Sequence, residues 1–375
     1  MSNETHDTPA DAESNSNPLQ ATRRTALQGA GLAGLLAMGV GSANASQDIP
    51  FANAQQTTDN DESVPVTWEN FPRAQLHSEM ESQAENGAFG EFYHYRTLLP
   101  LDEQIEALPN RDTLYSFGFF DLTEPVTITK PDTGDRYQSM VVLNEDQYEK
   151  MFEYEPGKYT LTQDAIGTRY ASVLVRTFVD PNDPDDVATA HQLQDELAVS
   201  QDASITTFEI PNWDRQSRKE LFDALVTVGK TMDNFDGAYG DVGEVNPVKF
   251  LLASVSTFGF PESETTFLSR VPDQNDGETP HTLTVQGVPV DGFWSVTVYN
   301  SDWYLEENKY DAYSVNNVTA ERNDNGSVTV HFGGNPDQPN FLYTPENWNY
   351  LVRLYQPRKP ILNGNYQFPK AQPVG

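Results

Sequence analysis

Along residues 292–299 the side chains alternate between two faces: Phe293, Ser295, Thr297 and Tyr299 share one, and Trp294, Val296 and Val298 share the other. A period of two predicts a strand. Runs of β composition at 282–285, 312–319, 327–332 and 350–355 predict more strands in the last hundred residues, and 113–120, 126–129, 136–143 and 169–179 read the same way earlier in the chain. Two turns are predicted to close hairpins. In Pro131-Asp132-Thr133-Gly134, proline presets φ and glycine tolerates φ > 0. In Asp324-Asn325-Gly326 the Asn-Gly pair is the signal.

The period changes over 71–85, where Leu76, Met80 and Ala84 recur four apart and predict a helix. Asp183-Pro184-Asp185-Asp186 caps a second helix running to about 197, its acids suited to a helix start. Leu221 with Leu225, Phe222 with Val226, and Val228 with Met232 make 215–232 amphipathic. A short apolar segment at 247–255 predicts one more helix. The fold class is therefore mostly β with helical insertions, and short strands with frequent turns indicate sandwich or barrel domains. The expected division is a leader at 1–45, a polar, acidic linker at 46–63, a β-rich domain at 64–200, a helical connector at 201–260 and a β-sandwich domain at 261–375.

The leader carries Arg23-Arg24, then an uncharged stretch over 26–40, then Ala43-Asn44-Ala45 as an A-x-A cleavage site. This is the pattern of a twin-arginine signal, with export to the cell surface or beyond. The apolar run is too short for a permanent span, so no stable membrane span is expected after cleavage. Gly29-Ala30-Gly31-Leu32-Ala33-Gly34 matches a dinucleotide fingerprint, but no strand precedes it and it receives no binding role.

Charge narrows the partners. With 23 Lys and Arg against 56 Asp and Glu, the formal charge is −33, spread along the whole of the 375 residues. Such a surface reads as that of an archaeal halophile, hydrated in concentrated salt. No basic stripe exists to meet phosphates, which excludes nucleic acid as a partner. The chain has no cysteine, so disulfides, thiolate nucleophiles and cysteine-ligated metals are excluded. Asp180-Pro181-Asn182-Asp183-Pro184-Asp185-Asp186 has oxygens for calcium but lacks the loop glycine and distal glutamate. No cofactor and no metal are expected.

The densest polar cluster beside a strand is Asn110-Arg111-Asp112-Thr113-Leu114-Tyr115. At a strand start, Arg111 offers a planar fork for an anion, and Asp112 either serves as a base or holds the arginine in place. His94, between Tyr93 and Tyr95, is the most site-like histidine. Arg136 begins a later strand and is expected at the same end of the sheet. The aromatics of the last third, Trp294 and Tyr299 among them, suit either a core or a ligand wall.

Asn110-Arg111-Asp112-Thr113-Leu114-Tyr115-Ser116 resembles the hallmark of the paired domains of unknown function 1254 and 1214. The resemblance continues at Asp135-Arg136-Tyr137, Gly167-Thr168-Arg169-Tyr170 and Arg176-Thr177-Phe178-Val179-Asp180. The second domain's hallmark is matched by the segment from Pro289 through Phe293-Trp294-Ser295 to Asn300, and by Asn347-Trp348-Asn349-Tyr350 with Val352-Arg353-Leu354-Tyr355. Residues 341–346 depart from the family pattern. The resemblance implies two jelly-roll-like β domains with helices between them and no established reaction. Some members carry a carboxylesterase label, but the chain has no G-x-S-x-G nucleophile elbow.

Three readings follow. The first is an exported protein that binds a small or carbohydrate-like molecule at the domain junction, with Asn110, Arg111, Tyr115, Arg136, Trp294, Tyr299 and Arg353 as ligand-binding candidates. The second is a hydrolase using Asp112 and His94 as acid and base. The third is a structural protein of the cell envelope. Assembly into a homo-oligomer stays open.

Overall fold

The computed structural model describes residues 63–104, 108–202, 207–232 and 234–374, so the expected twin-arginine leader lies outside the described residues. Strands β1 (Tyr93–His94), β2 (Thr113–Asp121), β7 (Tyr170–Phe178), β4 (Gln138–Asn144) and β5 (Glu149–Glu153) form one antiparallel sheet in that order. A second sheet of β6 (Gly157–Leu161), β3 (Val126–Lys130) and β8 (Ala198–Gln201) faces it. Between them lies a core of Phe120, Val126, Ile128, Met140, Val142, Leu161, Val173 and Val175. Each such side chain contributes about 1.5–3 kcal/mol through burial.

The five-stranded sheet is buried on its other face as well. There Phe117, Phe119, Val141, Leu143 and Leu174 meet Leu76 and Met80 of helix α1 (Phe71–Glu85) and Phe258. Burial on both faces explains why all nine residues of β7 are buried and why its sequence does not alternate cleanly.

The second half repeats the scheme. Sheet β14 (Phe341–Leu342), β13 (Val328–Phe332), β10 (His281–Val285), β16 (Gln372–Pro373) faces sheet β12 (Ser314–Asn316), β11 (Trp294–Tyr299), β15 (Asn349–Tyr355), β9 (Thr265–Arg270). Their shared core holds Leu283, Trp294, Val296, Val298, Val330, Phe332, Trp348, Tyr350 and Val352. Strand pairing is antiparallel except between β13 and β14. Among the described residues no sheet closes into a barrel.

Both predicted hairpins need correction. The turns exist: Gly134 N donates to Asp132 Oδ1 at 2.9 Å, and Asn323 N donates to Ser327 O at 2.8 Å. Yet β3 pairs with β6 and β8 while β4 pairs with β7 and β5, and β12 and β13 also belong to opposite sheets. Each turn carries the chain across a sandwich. A local turn signal reports the reversal, but long-range pairing decides which sheet receives the next strand.

Helices α2 (Pro184–Asp195), α3 (Arg215–Gly229) and α4 (Pro247–Ala253) start at Asp183, Asp214 and Asn246, whose side chains accept from backbone N–H groups of the first turn. Asp183 accepts from Asp185 N and Asp186 N, so the acidic run at 180–186 serves as a helix cap. The outer face of β11 and β15 lies against the first sandwich. Phe293 stacks on Tyr355 at 4.1 Å and meets Tyr137 at 5.2 Å and Phe178 at 5.0 Å edge-on.

Candidate functional site

The cluster at 110–115 lies at this seam and divides into separate networks. Asp112 is fully buried. Ser295 Oγ donates to its Oδ2 at 2.6 Å, and Ser314 Oγ and Asn316 Nδ2 approach its Oδ1 at 3.4 and 3.5 Å. Burial raises the Asp112 pKa, against the pull of Arg353 and these three donors. Arg353 is 1% exposed, and its guanidinium donates to Thr297 Oγ1 at 3.1 Å and to Leu108 O and Tyr299 Oη at 2.8 Å each. Burial alone would lower its pKa, but Tyr299, Tyr355 and Asp112 outweigh that and raise it. Tyr299 Oη donates to Pro109 O at 3.0 Å. Leu108 adopts φ 59, held from both sides by Trp303 O and Arg353. Asp112, Arg353 and Tyr299 thus form a sealed lock between the halves of the molecule.

The remaining candidates do not converge on it. Asn110 Nδ2 donates to Thr113 Oγ1 at 2.7 Å and Tyr115 Oη at 3.2 Å, while its Oδ1 accepts from Asp112 N at 2.7 Å, so it braces the strand start. Arg111 is half-buried, lies 5.3 Å from the Tyr313 ring and donates to Leu99 O at 3.2 Å. Arg136 lies at the same end of the sheet as Asp112, but its guanidinium does not converge on it. It instead donates to Phe178 O at 2.8 Å and binds Asp186 through both terminal nitrogens, because β4 begins only at Gln138 and leaves Arg136 on the turn beside α2. Trp294 faces the interior of the second sandwich against Phe368, since alternation puts it opposite Ser295. His94 Nδ1 pairs with Ser116 Oγ at 2.8 Å. Burial, with Arg96 adding to it, pushes the imidazole down to about 4, so it is neutral at pH 7. No described contact joins His94 to Asp112, and the hydrolytic pairing gains no geometric support.

Tyr115, also a candidate, belongs to a second polar group whose other members sequence reasoning did not name as site residues. Tyr115, Arg176 and Ser139 lie in one row across β2, β7 and β4, on the sheet face turned toward α1. Arg176 is 7% exposed. Its Nη2 donates to Phe258 O at 2.9 Å, while its Nη1 has no partner. The Phe260 ring lies 3.9 Å from the guanidinium and the Tyr115 ring 5.4 Å. Tyr137 Oη and Ser139 Oγ sit close together but fall short of a full hydrogen bond, and burial pushes the Tyr137 phenol up to about 12. Glu149 follows a register shift between β4 and β5, is buried, and keeps an unpartnered Oε1. Burial, and then the charge of Glu264, push its pKa well above the usual carboxylate range, against Arg176. It lines a small cavity with Gln147, Tyr239, Phe250 and Phe258. The signal was present: Arg176 is the one charged residue within β7.

A buried dyad was missed as well. His77 on α1 contacts Glu145 at 2.8 Å through Nε2 and accepts from Trp213 Nε1 at 3.0 Å through Nδ1, tying the helix to the sheet.

The model for the protein of unknown function DUF1254 matches residues 89–201, and that for the protein of unknown function DUF1214 matches 268–359. No curated protein matches the chain. The crystal structure of the VPA0106 protein from Vibrio parahaemolyticus is similar in fold, at 16% identity and a TM-score of 0.63, over 82% of this chain and 97% of that one. An uncharacterized protein from Burkholderia cenocepacia aligns at 15% identity and a TM-score of 0.45, over 82% of this chain and 87% of its own. With both family matches in order along it, the chain belongs to the family in which DUF1254 and DUF1214 are paired.

Proposed function

We propose that the protein is an exported small-molecule-binding protein whose ligand lies between the α1-facing side of the five-stranded sheet and the covering segment 254–265. One observation carries the reading. Arg176 Nη1 and Ser172 Oγ on β7, Glu149 Oε1 on β5, and Thr257 Oγ1 and Thr265 Oγ1 on the covering segment are buried without partners among the described residues. Buried polar atoms in native folds are paired in the large majority of cases, so this set calls for a polar guest. The aromatic seam of Tyr137, Phe293 and Tyr355 lies alongside, which keeps the site near the junction of the two halves. Export is supported by Arg23-Arg24 and Ala43-Asn44-Ala45, and intact-mass analysis of secreted protein is expected to start at Ser46.

Native mass spectrometry of the purified protein, with thermal-shift screening against small polar compounds, tests the binding reading. The expected result is a ligand whose stabilising shift is lost in Arg176→Gln and Ser139→Ala. A high-resolution crystal structure in which fixed waters satisfy all five atoms, together with no compound that shifts the melt, overturns it.

A further inference from the structure

We infer that the ligand of this site carries a single carboxylate, that Arg176 receives it, and that the rest of the ligand is apolar or aromatic. This rests on the ligand-binding reading above. The guanidinium is a permanent charge almost wholly removed from water, and no carboxylate among the described residues forms an ion pair with it. Only one of its terminal nitrogens is used, on Phe258 O, which leaves Nη1 for a further acceptor. Arginine is the residue whose planar fork matches a carboxylate.

The surroundings select the class. Glu149, on β5 two strands away in the same sheet, forms no ion pair with Arg176; burial, and then Glu264, push its pKa well above the usual carboxylate range, which weakens its pull on the arginine. Glu244 and Glu264 act on nearby Glu149, and this acidic setting disfavours a phosphate, with its charge of about −1.5 to −2, more than a monocarboxylate. The walls are rings: Tyr115, Phe152, Phe258 and Phe260 around the guanidinium and beside it. Ser139 Oγ and Tyr137 Oη, in the same row and next to it, supply donors for the second carboxylate oxygen. Phe258 and Phe260 lie over the guanidinium, so a ligand reaches Arg176 only by lifting this segment.

The test titrates the purified protein with sodium benzoate, benzamide, inorganic phosphate and glucose, by calorimetry and thermal shift in chloride-matched buffer. Benzoate is expected to bind at least about ten-fold more tightly than benzamide or phosphate, and Arg176→Gln to remove that preference. Should Arg176→Gln fail to fold, Ser139→Ala reports instead, with benzoate weakened several-fold and benzamide unchanged. Binding of benzamide or glucose as tight as benzoate overturns the carboxylate assignment and leaves small-molecule binding standing. Tighter binding of phosphate overturns the monocarboxylate class. No binding of any probe, with fixed waters on Arg176 Nη1 and Glu149 Oε1 in a crystal structure, overturns both.

Discussion

Asp112→Asn is the perturbation that separates a lock from a site. The carboxylate is fully buried, yet its closest donor, Ser295 Oγ, is on β11 of the other sandwich, and the charge it senses most is Arg353 on β15. Asparagine keeps an oxygen for Ser295 but removes the one carboxylate whose charge acts on the buried Arg353 guanidinium. Breaking one side of a buried pair costs about 3–5 kcal/mol. Because Arg353 keeps its bonds to Thr297, Tyr299 and Leu108 O, the lower end of that range, about 3 kcal/mol, is expected. Arg353→Met should cost about as much or more, since Leu108 O and Tyr299 then lose their donor. The double variant should be about 2 kcal/mol less destabilised than the two singles added together. Urea denaturation at constant high salt measures all four corners of the cycle. Additivity within about 0.5 kcal/mol would mean that the two charges do not sense one another, and the lock would be refuted. An Asp112→Asn protein of unchanged stability that had lost ligand binding would return the functional site to residue 112.

Glu79 is fully buried on α1 with an unpartnered Oε2, and burial raises its pKa from 4.5 to about 8 against the charge of Arg218. The folded state then holds a proton that the unfolded chain releases, so stability is lost as pH rises from about 4.5 to about 8. Glu79→Gln should be the more stable protein by about 3 kcal/mol at pH 7 and level with wild type near pH 4, a gap that denaturation across this range reads directly; an equal gap at both pH values would mean Glu79 is ionised in the fold. A Cβ on Gly259 would fall 2.0 Å from the Tyr239 ring, so Gly259→Ala should lower stability by at least about 1–3 kcal/mol in the same assay, and an unchanged midpoint would show that the covering segment yields freely. With a formal charge of −33, the melting temperature should climb between about 0.1 M and 2 M potassium chloride as the Debye length falls to about 3 Å, and a flat curve would contradict the halophilic reading.

Where one face of a strand is dry and the other polar, the pattern was legible. The alternation at 292–299 separates Trp294, Val296 and Val298, which enter the second core, from Ser295, Thr297 and Tyr299, which meet Asp112, Arg353 and Pro109. The helix starts were legible too, because caps are local chemistry. β5, β6 and β9 were not, since Glu149–Glu153, Gly157–Leu161 and Thr265–Arg270 mix charged and polar residues without a clear period. Nor was the destination of either tight turn, because a reversal at Gly134 or Gly326 looks the same whether the next strand pairs beside the last or across the sandwich.

The polar candidates show the same limit more sharply. Sequence adjacency drew Arg111 and Asp112 into one imagined pocket, but a strand start sends neighbours to different places, and Asp112 finds its partner Ser295 far along the chain while Arg111 lies over Tyr313. The row of Tyr115, Arg176 and Ser139 comes from three separate strands and has no local spacing at all. What could have marked it is a contradiction within β7: a guanidinium in a nine-residue strand that is buried from end to end. A charge in such a strand is costly unless something answers it. Arg353 is answered across the seam by the charge of Asp112 and by hydrogen bonds to Thr297, Tyr299 and Leu108 O, and that network reads as structure. Arg176 keeps Nη1 without a partner, and for that reason the functional reading rests there.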